Sequence, residues 1–137
     1  PALQLLYYAS RGLGAFRQQL GRGAPQSLRA RHFVENQVTV AGSRSHAGET
    51  LCRFLDRLGP HKMVNMGSSL KICLVAEGQA DIYPRLGLTS EWDTAAGQCV
   101  LEEAGGRLIE LDGMPLKYNL KASLLNPHFL AVGYGAD

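Results

Sequence analysis

Aromatic side chains are scarce, at 7% of 137 residues, and are not interleaved with the basic ones. That argues against a stacking platform for nucleic acid. Long apolar runs are missing as well. Lys, Arg or Gly interrupts every stretch well short of the ~18 residues that a membrane-spanning helix needs. Cysteine is limited to Cys52, Cys73 and Cys99, an odd number at no metal-ligand spacing. Each falls in an apolar helical pattern, where a thiol is expected to be buried as a small hydrophobe. No N-x-S/T site and no secretory leader is found, so a reducing compartment is expected. No serine sits in a nucleophile elbow, no two histidines have zinc spacing, and no glycine pattern matches a dinucleotide fold. His32, His61 and His128 are scattered and read as structural or exposed.

What remains is a globular composition, 45% apolar and 19% charged, in a length that holds one domain. Residues 1–62 carry nine Lys/Arg against three Asp/Glu, and residues 63–137 carry five against nine. The split fits solvated faces of opposite sign, with an anion-facing surface on the first half as the alternative. Pro1 opens in mid-pattern, which reads as the start of a fragment or processed product.

The order of patterns predicts a layered α/β architecture. Leu3–Ala9 and Ala15–Arg17, joined by turn residues Ser10–Gly14, predict a β-hairpin. Gly21, Gly23 and Pro25 predict a loop, and the alternation Leu28–His32 predicts a half-exposed strand. Such a hairpin cannot bury its own apolar face and is expected to join a sheet supplied elsewhere. From Val38 onward, short apolar strands alternate with helices. Leu51, Phe54, Leu55 and Leu58 mark the first helix, which Gly59-Pro60 stops. Lys62–Met66 is a strand, Leu70–Glu77 a helix apolar all round, Ala80–Tyr83 a strand, and Asp93–Ala104 a third helix. Arg107–Leu111 and Phe129–Gly133 complete the strands, and Asp112-Gly113 marks a turn. Helices are expected on both faces of one sheet, with residues 1–36 a separate hairpin and strand segment and 37–137 the α/β domain.

In such sheets ligands gather where strands end and helices begin. Three such junctions carry polar side chains. Ser43-Arg44-Ser45-His46 offers hydroxyl, guanidinium and imidazole donors for a phosphate or sugar, or is an ordinary cap. Gly67-Ser68-Ser69-Leu70-Lys71 places Lys71 three residues past Ser68, on one face of a first helical turn, as an anion site or a plain cap. Glu91-Trp92-Asp93-Thr94-Ala95-Ala96-Gly97 sets a carboxylate before small residues that allow close helix approach. Asp93 there is able to ligate a hard cation such as Mg²⁺ or simply to cap the helix. Arg85, in Tyr83-Pro84-Arg85, is an anion clamp or a surface charge.

Taken in order, these stretches resemble the inositol monophosphatase superfamily of Mg²⁺-dependent, Li⁺-sensitive phosphatases. Trp92-Asp93-Thr94-Ala95-Ala96-Gly97 is similar to its W-D-x-A-A-G signature. Ser43–His46, Gly67–Lys71, Ala76-Glu77-Gly78-Gln79 and Tyr83–Arg85 look like the bacterial branch that acts as 3'(2'),5'-bisphosphate nucleotidase. The resemblance implies removal of the 3'-phosphate of 3'-phosphoadenosine 5'-phosphate in sulfate assimilation, in the cytoplasm or peripherally at a bacterial inner membrane. It implies Asp93 as a Mg²⁺ ligand, Ser68 and Lys71 as nucleotide ligands, and Ser43, Ser45 and His46 near the sugar or the non-scissile phosphate. Arg85 would lie near adenine or phosphate. An inositol or other sugar phosphate as substrate, or a non-catalytic phosphate-binding module, are the alternatives.

The chain departs from the family pattern in one large respect. The signature D-P-x-D-G-T is absent, and no D-x-x-D pair occurs anywhere. A divalent ion needs several oxygens. The sequence therefore reads as the C-terminal half of the fold, inactive alone, whose partner is the missing N-terminal half. A smaller departure is Gly87-Leu88-Thr89, where Gly-Pro-Thr is usual.

Overall fold

A computed structural model describes residues 3–34, 36–42 and 48–134. Among the described residues there are two sheets and three helices. β1 (Leu5–Ser10), β2 (Gly14–Gln19) and β3 (Arg22–Ser27) form an antiparallel sheet in sequence order. β4 (Val38–Gly42), α1 (Glu49–Leu58), β5 (His61–Asn65), α2 (Leu70–Ala76), β6 (Ile82–Arg85), α3 (Glu91–Glu103), β7 (Arg107–Glu110) and β8 (Phe129–Val132) follow. Their five strands form a mixed sheet in the order β5-β4-β6-β8-β7, parallel at β4–β5 and β4–β6 and antiparallel around β8. No helix among the described residues is long and apolar enough to cross a membrane.

The helices flank the mixed sheet as its apolar pattern requires. Val38, Val40, Ile82 and Val132 pack on Phe54, Leu55 and Leu58 of α1. On the opposite face, Ala41, Tyr83, Leu108, Phe129 and Ala131 share a core with α2 and α3. β4 is buried along its whole length, and Thr39 is the one polar side chain in it. The small sheet packs Tyr7, Ala9 and Ala15 onto the far side of α2 and α3. It is also pinned by polar contacts. Arg17 lies 3.0 Å from Glu77, and the backbone N–H groups of Gly12 and Gly14 donate to Glu103. The Tyr7 hydroxyl donates to Glu77; burial and that carboxylate push its pKa up to about 12.

Three expectations need correction. The Gly21–Pro25 segment lies at the start of an exposed edge strand, β3, where proline is tolerated because no ladder donor is needed on the free side. Leu28–His32 forms no named strand. Leu28 and Ala30 are buried while Arg29 and His32 are exposed, but Leu28 N–H bonds to Ala15 and Ala30 N–H to Ala104, so the segment connects two layers. Cys73 is buried, whereas Cys52 is exposed and Cys99 half-buried. Cys52 follows Leu51 on α1, about 100° round the helix, which turns it off the stripe that meets the sheet.

Candidate functional site

α2 and α3 approach closely because Gly97 has no side chain. A Cβ at that position would stand 3.1 Å from Ile72 Cδ1 and 3.4 Å from Ile72 Cβ and Cγ2. This contact brings the start of α3 beside the start of α2, at the carboxyl end of β6. Between them opens a cavity of about 380 Å³ lined by Ser68, Lys71, Tyr83, Arg85, Thr89 and Asp93, among others. Four of the seven residues singled out in the sequence thus meet in one place. Ser43, Ser45 and His46 lie outside the described residues.

Each side chain is set by its element. Ser68 precedes α2 with φ +58°, a left-handed conformation that a serine rarely takes. Ser69 makes no side-chain cap bond to α2, so the capping alternative for that residue is not realised. Lys71 is only 5% exposed, and its Nζ donates to Met66 O at 3.1 Å. The ammonium also lies 5.2 Å from the centre of the Tyr83 ring. Burial, and then the Arg85 guanidinium, lower its pKa below the ordinary lysine value. Arg85 donates from Nη2 to Leu88 O at 2.9 Å and so braces the 86–89 loop, while its buried Nε has no hydrogen-bond partner among the described residues. Burial raises the Tyr83 pKa, with Arg85 acting in the opposite sense.

Asp93 is the third residue of α3 and completes a capping box with Ser90. Its Oδ2 accepts the Ser90 N–H at 2.8 Å; Oδ1 makes no hydrogen bond among the described residues. The cap reading and the ligand reading are therefore compatible, since one oxygen serves the helix and the other makes no hydrogen bond among the described residues. Two cations and one carboxylate line the cavity, a balance that favours an anion. A second cleft of about 260 Å³ reaches Lys71, Tyr83 and Arg85 from the side of Gly42 and Gly48.

For a divalent cation the fit is partial. Asp93 presents one oxygen, as a corner of an oxygen-rich site would require. No group of three or more His, Cys, Asp or Glu side chains converges among the described residues. Thr89 and Trp92 also line the cavity, and nothing but their neighbourhood to Arg85 and Asp93 marks them in the sequence.

Known proteins are similar to this chain in sequence and in fold. The chain is 41% identical over 134 residues to a protein of Salmonella typhimurium named 3'(2'),5'-bisphosphate nucleotidase CysQ, covering 98% of this chain and 52% of that one. It is 42% identical over 129 residues to the protein of that name from Escherichia coli K12, covering 94% and 50%. A crystal structure of CysQ from Bacteroides thetaiotaomicron, described as a bacterial member of the inositol monophosphatase family, superposes with a TM-score of 0.84 at 33% identity. That superposition covers 97% of this chain and 55% of the other. The chain spans about half the length of the curated relatives it matches. The sequence pattern of the inositol monophosphatase family matches residues 1–132, and the chain belongs to that family.

Proposed function

We propose that the chain is the C-terminal half of a Mg²⁺-dependent phosphomonoesterase that removes the 3'-phosphate of 3'-phosphoadenosine 5'-phosphate to leave AMP. The observation that carries this reading is the convergence of Ser68, Lys71, Arg85 and Asp93 on one cavity. The names of the relatives support the substrate class. Residues 1–36 then extend a sheet that continues into the preceding half, and residues 37–137 form the α/β domain. The enzyme acts in the cytoplasm on a free nucleotide, and Li⁺ inhibits it.

In this mechanism Lys71 and Ser68 bind a phosphate or ribose oxygen, and Arg85 neutralises the second phosphate. Ser43, Ser45 and His46 meet the sugar or the non-scissile phosphate. Lys71 is suited to this because its buried ammonium has spare N–H groups and no carboxylate within bonding distance among the described residues. Asp93 holds one oxygen toward Mg²⁺, and residues of the other half supply the remaining ligands. A divalent ion held by Asp93 and by ligands outside this chain would supply charge neutralisation at the scissile phosphate and activation of the attacking water.

Turnover tests the reading. The 137-residue chain is expected to release no phosphate from 3'-phosphoadenosine 5'-phosphate with Mg²⁺. The same chain joined to the preceding half of the Salmonella relative is expected to release it. Robust hydrolysis by the chain alone, or none by the joined protein, contradicts the proposal.

A second reading has its own support. The two cations that line the cavity also fit a non-catalytic nucleotide-binding module. Calorimetric titration with and without EDTA separates the two: micromolar binding indifferent to EDTA favours the module.

A further inference from the structure

β6 runs between two cavities. Arg85, at its carboxyl end, lines the one already described, and Asp81 immediately precedes its amino end. There a separate cleft of about 450 Å³ opens, lined by Arg31, His32, Asp81, His61 and Lys62, among others. The parallel register pairs Val38 with His61 and Thr39 with Lys62, which sets the amino ends of β4 and β5 side by side. No described residue lines both cavities. The volume lies within the range of small-molecule sites, about 300–1,000 Å³.

The cleft contains a carboxylate, but one whose oxygens are already used. Asp81 Oδ1 accepts from Arg31 Nε at 2.6 Å, and Oδ2 accepts from Arg31 Nη2 and from Thr39 N–H. Arg31 keeps Nη1 without a partner among the described residues, and 40% of its side chain stays exposed. Lys62 is exposed and has no carboxylate partner among the described residues. Asp81 offsets Arg31, so Lys62 leaves the described lining with an excess of positive charge.

The two imidazoles are held in one tautomer. His61 Nδ1 lies 2.7 Å from Gly59 O, and His32 Nδ1 lies 3.0 Å from Phe33 O. A carbonyl oxygen only accepts, so in each ring Nδ1 carries the proton. Nε2 of each ring has no partner among the described residues. The His32 ring is also braced edge-on by Tyr134, with centroids 5.4 Å apart. A bare Nε2 accepts from a protonated phosphate oxygen, and a protonated one donates to an ionised oxygen. Guanidinium and ammonium suit the same group. Val34, Val38 and Pro60 add an apolar part to the lining, which a bare inorganic ion would leave unused.

We propose that this cleft is a second anion site, at the end of the mixed sheet away from Arg85, and that it takes a small phosphate monoester. Arg31 Nη1, Lys62 and His61 Nε2 meet the phosphate, and the organic part packs on Val34, Val38 and Pro60. The site lies wholly in this chain and does not depend on what the first cavity binds.

The test is titration of phenyl phosphate followed by the amide resonances of Thr39 and Lys62. It is run on the 137-residue chain and on that chain joined to the preceding half of the Salmonella relative. Saturable shifts are expected in both, with a Kd of about 1–10 mM, as a few partly exposed charged contacts allow. Lys62→Ala, on an exposed edge strand, should weaken binding about fivefold. His61→Asn retains a donor for Gly59 O and loses Nε2, and should weaken it about as much, roughly fivefold. Lys71→Met, in the other cavity, should leave this Kd within about twofold. Inorganic phosphate should bind at least about threefold more weakly than the ester, because it buries no apolar surface. Shifts that never saturate, or an unchanged Kd in either cleft variant, overturn the proposal. So do an equal loss in Lys71→Met, disappearance of the shifts in the joined protein, or equal affinity for inorganic phosphate. The Lys71 and Asp93 amides report the first cavity separately, so failure of one reading is seen apart from the other.

Discussion

Lys71 places its ammonium 5.2 Å from the centre of the Tyr83 ring, in a site from which only 5% of the residue remains exposed. One bond to Met66 O and the ring face compensate poorly for lost hydration. Arg85 adds like charge. A charge kept there at a cost to the fold is what an anion-binding role predicts.

Lys71→Met should therefore leave the fold intact, neutral to about 2 kcal/mol more stable at neutral pH. The difference should shrink as pH rises. Native Lys71 loses its proton below the 10.5 of an unburied lysine, while the unfolded chain keeps it. Across that window the unfolded state binds more protons, so the native protein gains stability relative to the variant. Urea unfolding of both proteins at pH 7 and pH 10 checks the sign.

Gly97→Val should destabilise by about 1–3 kcal/mol through overpacking against Ile72. Ala96→Val, on the exposed side of α3, should stay within about 0.5 kcal/mol. Thermal unfolding of the pair distinguishes close helix approach from a general intolerance of β-branched residues.

Asp81, 3% exposed, accepts from Arg31 Nε at 2.6 Å, from Arg31 Nη2 and from Thr39 N–H, and so ties the linker after β3 to β4 and β6. Removing one partner strands the other. Arg31→Met should cost about 3 kcal/mol or more, because it leaves a buried carboxylate. A loss under about 1 kcal/mol in urea unfolding would show the pair to behave as a surface one.

Thiol labelling should follow exposure. Burial, reinforced by Glu77, raises the Cys73 thiol to about 12. A disulfide reagent should modify Cys52 in the native chain and reach Cys73 only on unfolding, as mass spectrometry of the labelled peptides would show.

Much of this was legible in the residues, for physical reasons. Phe54, Leu55 and Leu58 fix the face of α1, and the small residues of the Thr94–Gly97 run marked α3 for close packing, which Gly97 makes against Ile72. The polar residues of two junctions led to the cavity because strand ends and helix starts meet there. β3 was not legible, since glycine and proline in an exposed edge strand look like a loop. Nor was the lack of ladder pairing at Leu28–His32, which keeps a strand's alternation while bonding to two different layers. The hydrogen bonds of Asn126 carried no local signal, because its partners lie over thirty residues away.

The most direct measurement is calorimetric titration of 3'-phosphoadenosine 5'-phosphate into the native chain and into Lys71→Met. The account predicts binding by the native chain and at least a tenfold weaker Kd in the variant, about 1.4 kcal/mol, with the variant still folded. Equal affinity in the two proteins, or no binding by either, would contradict it.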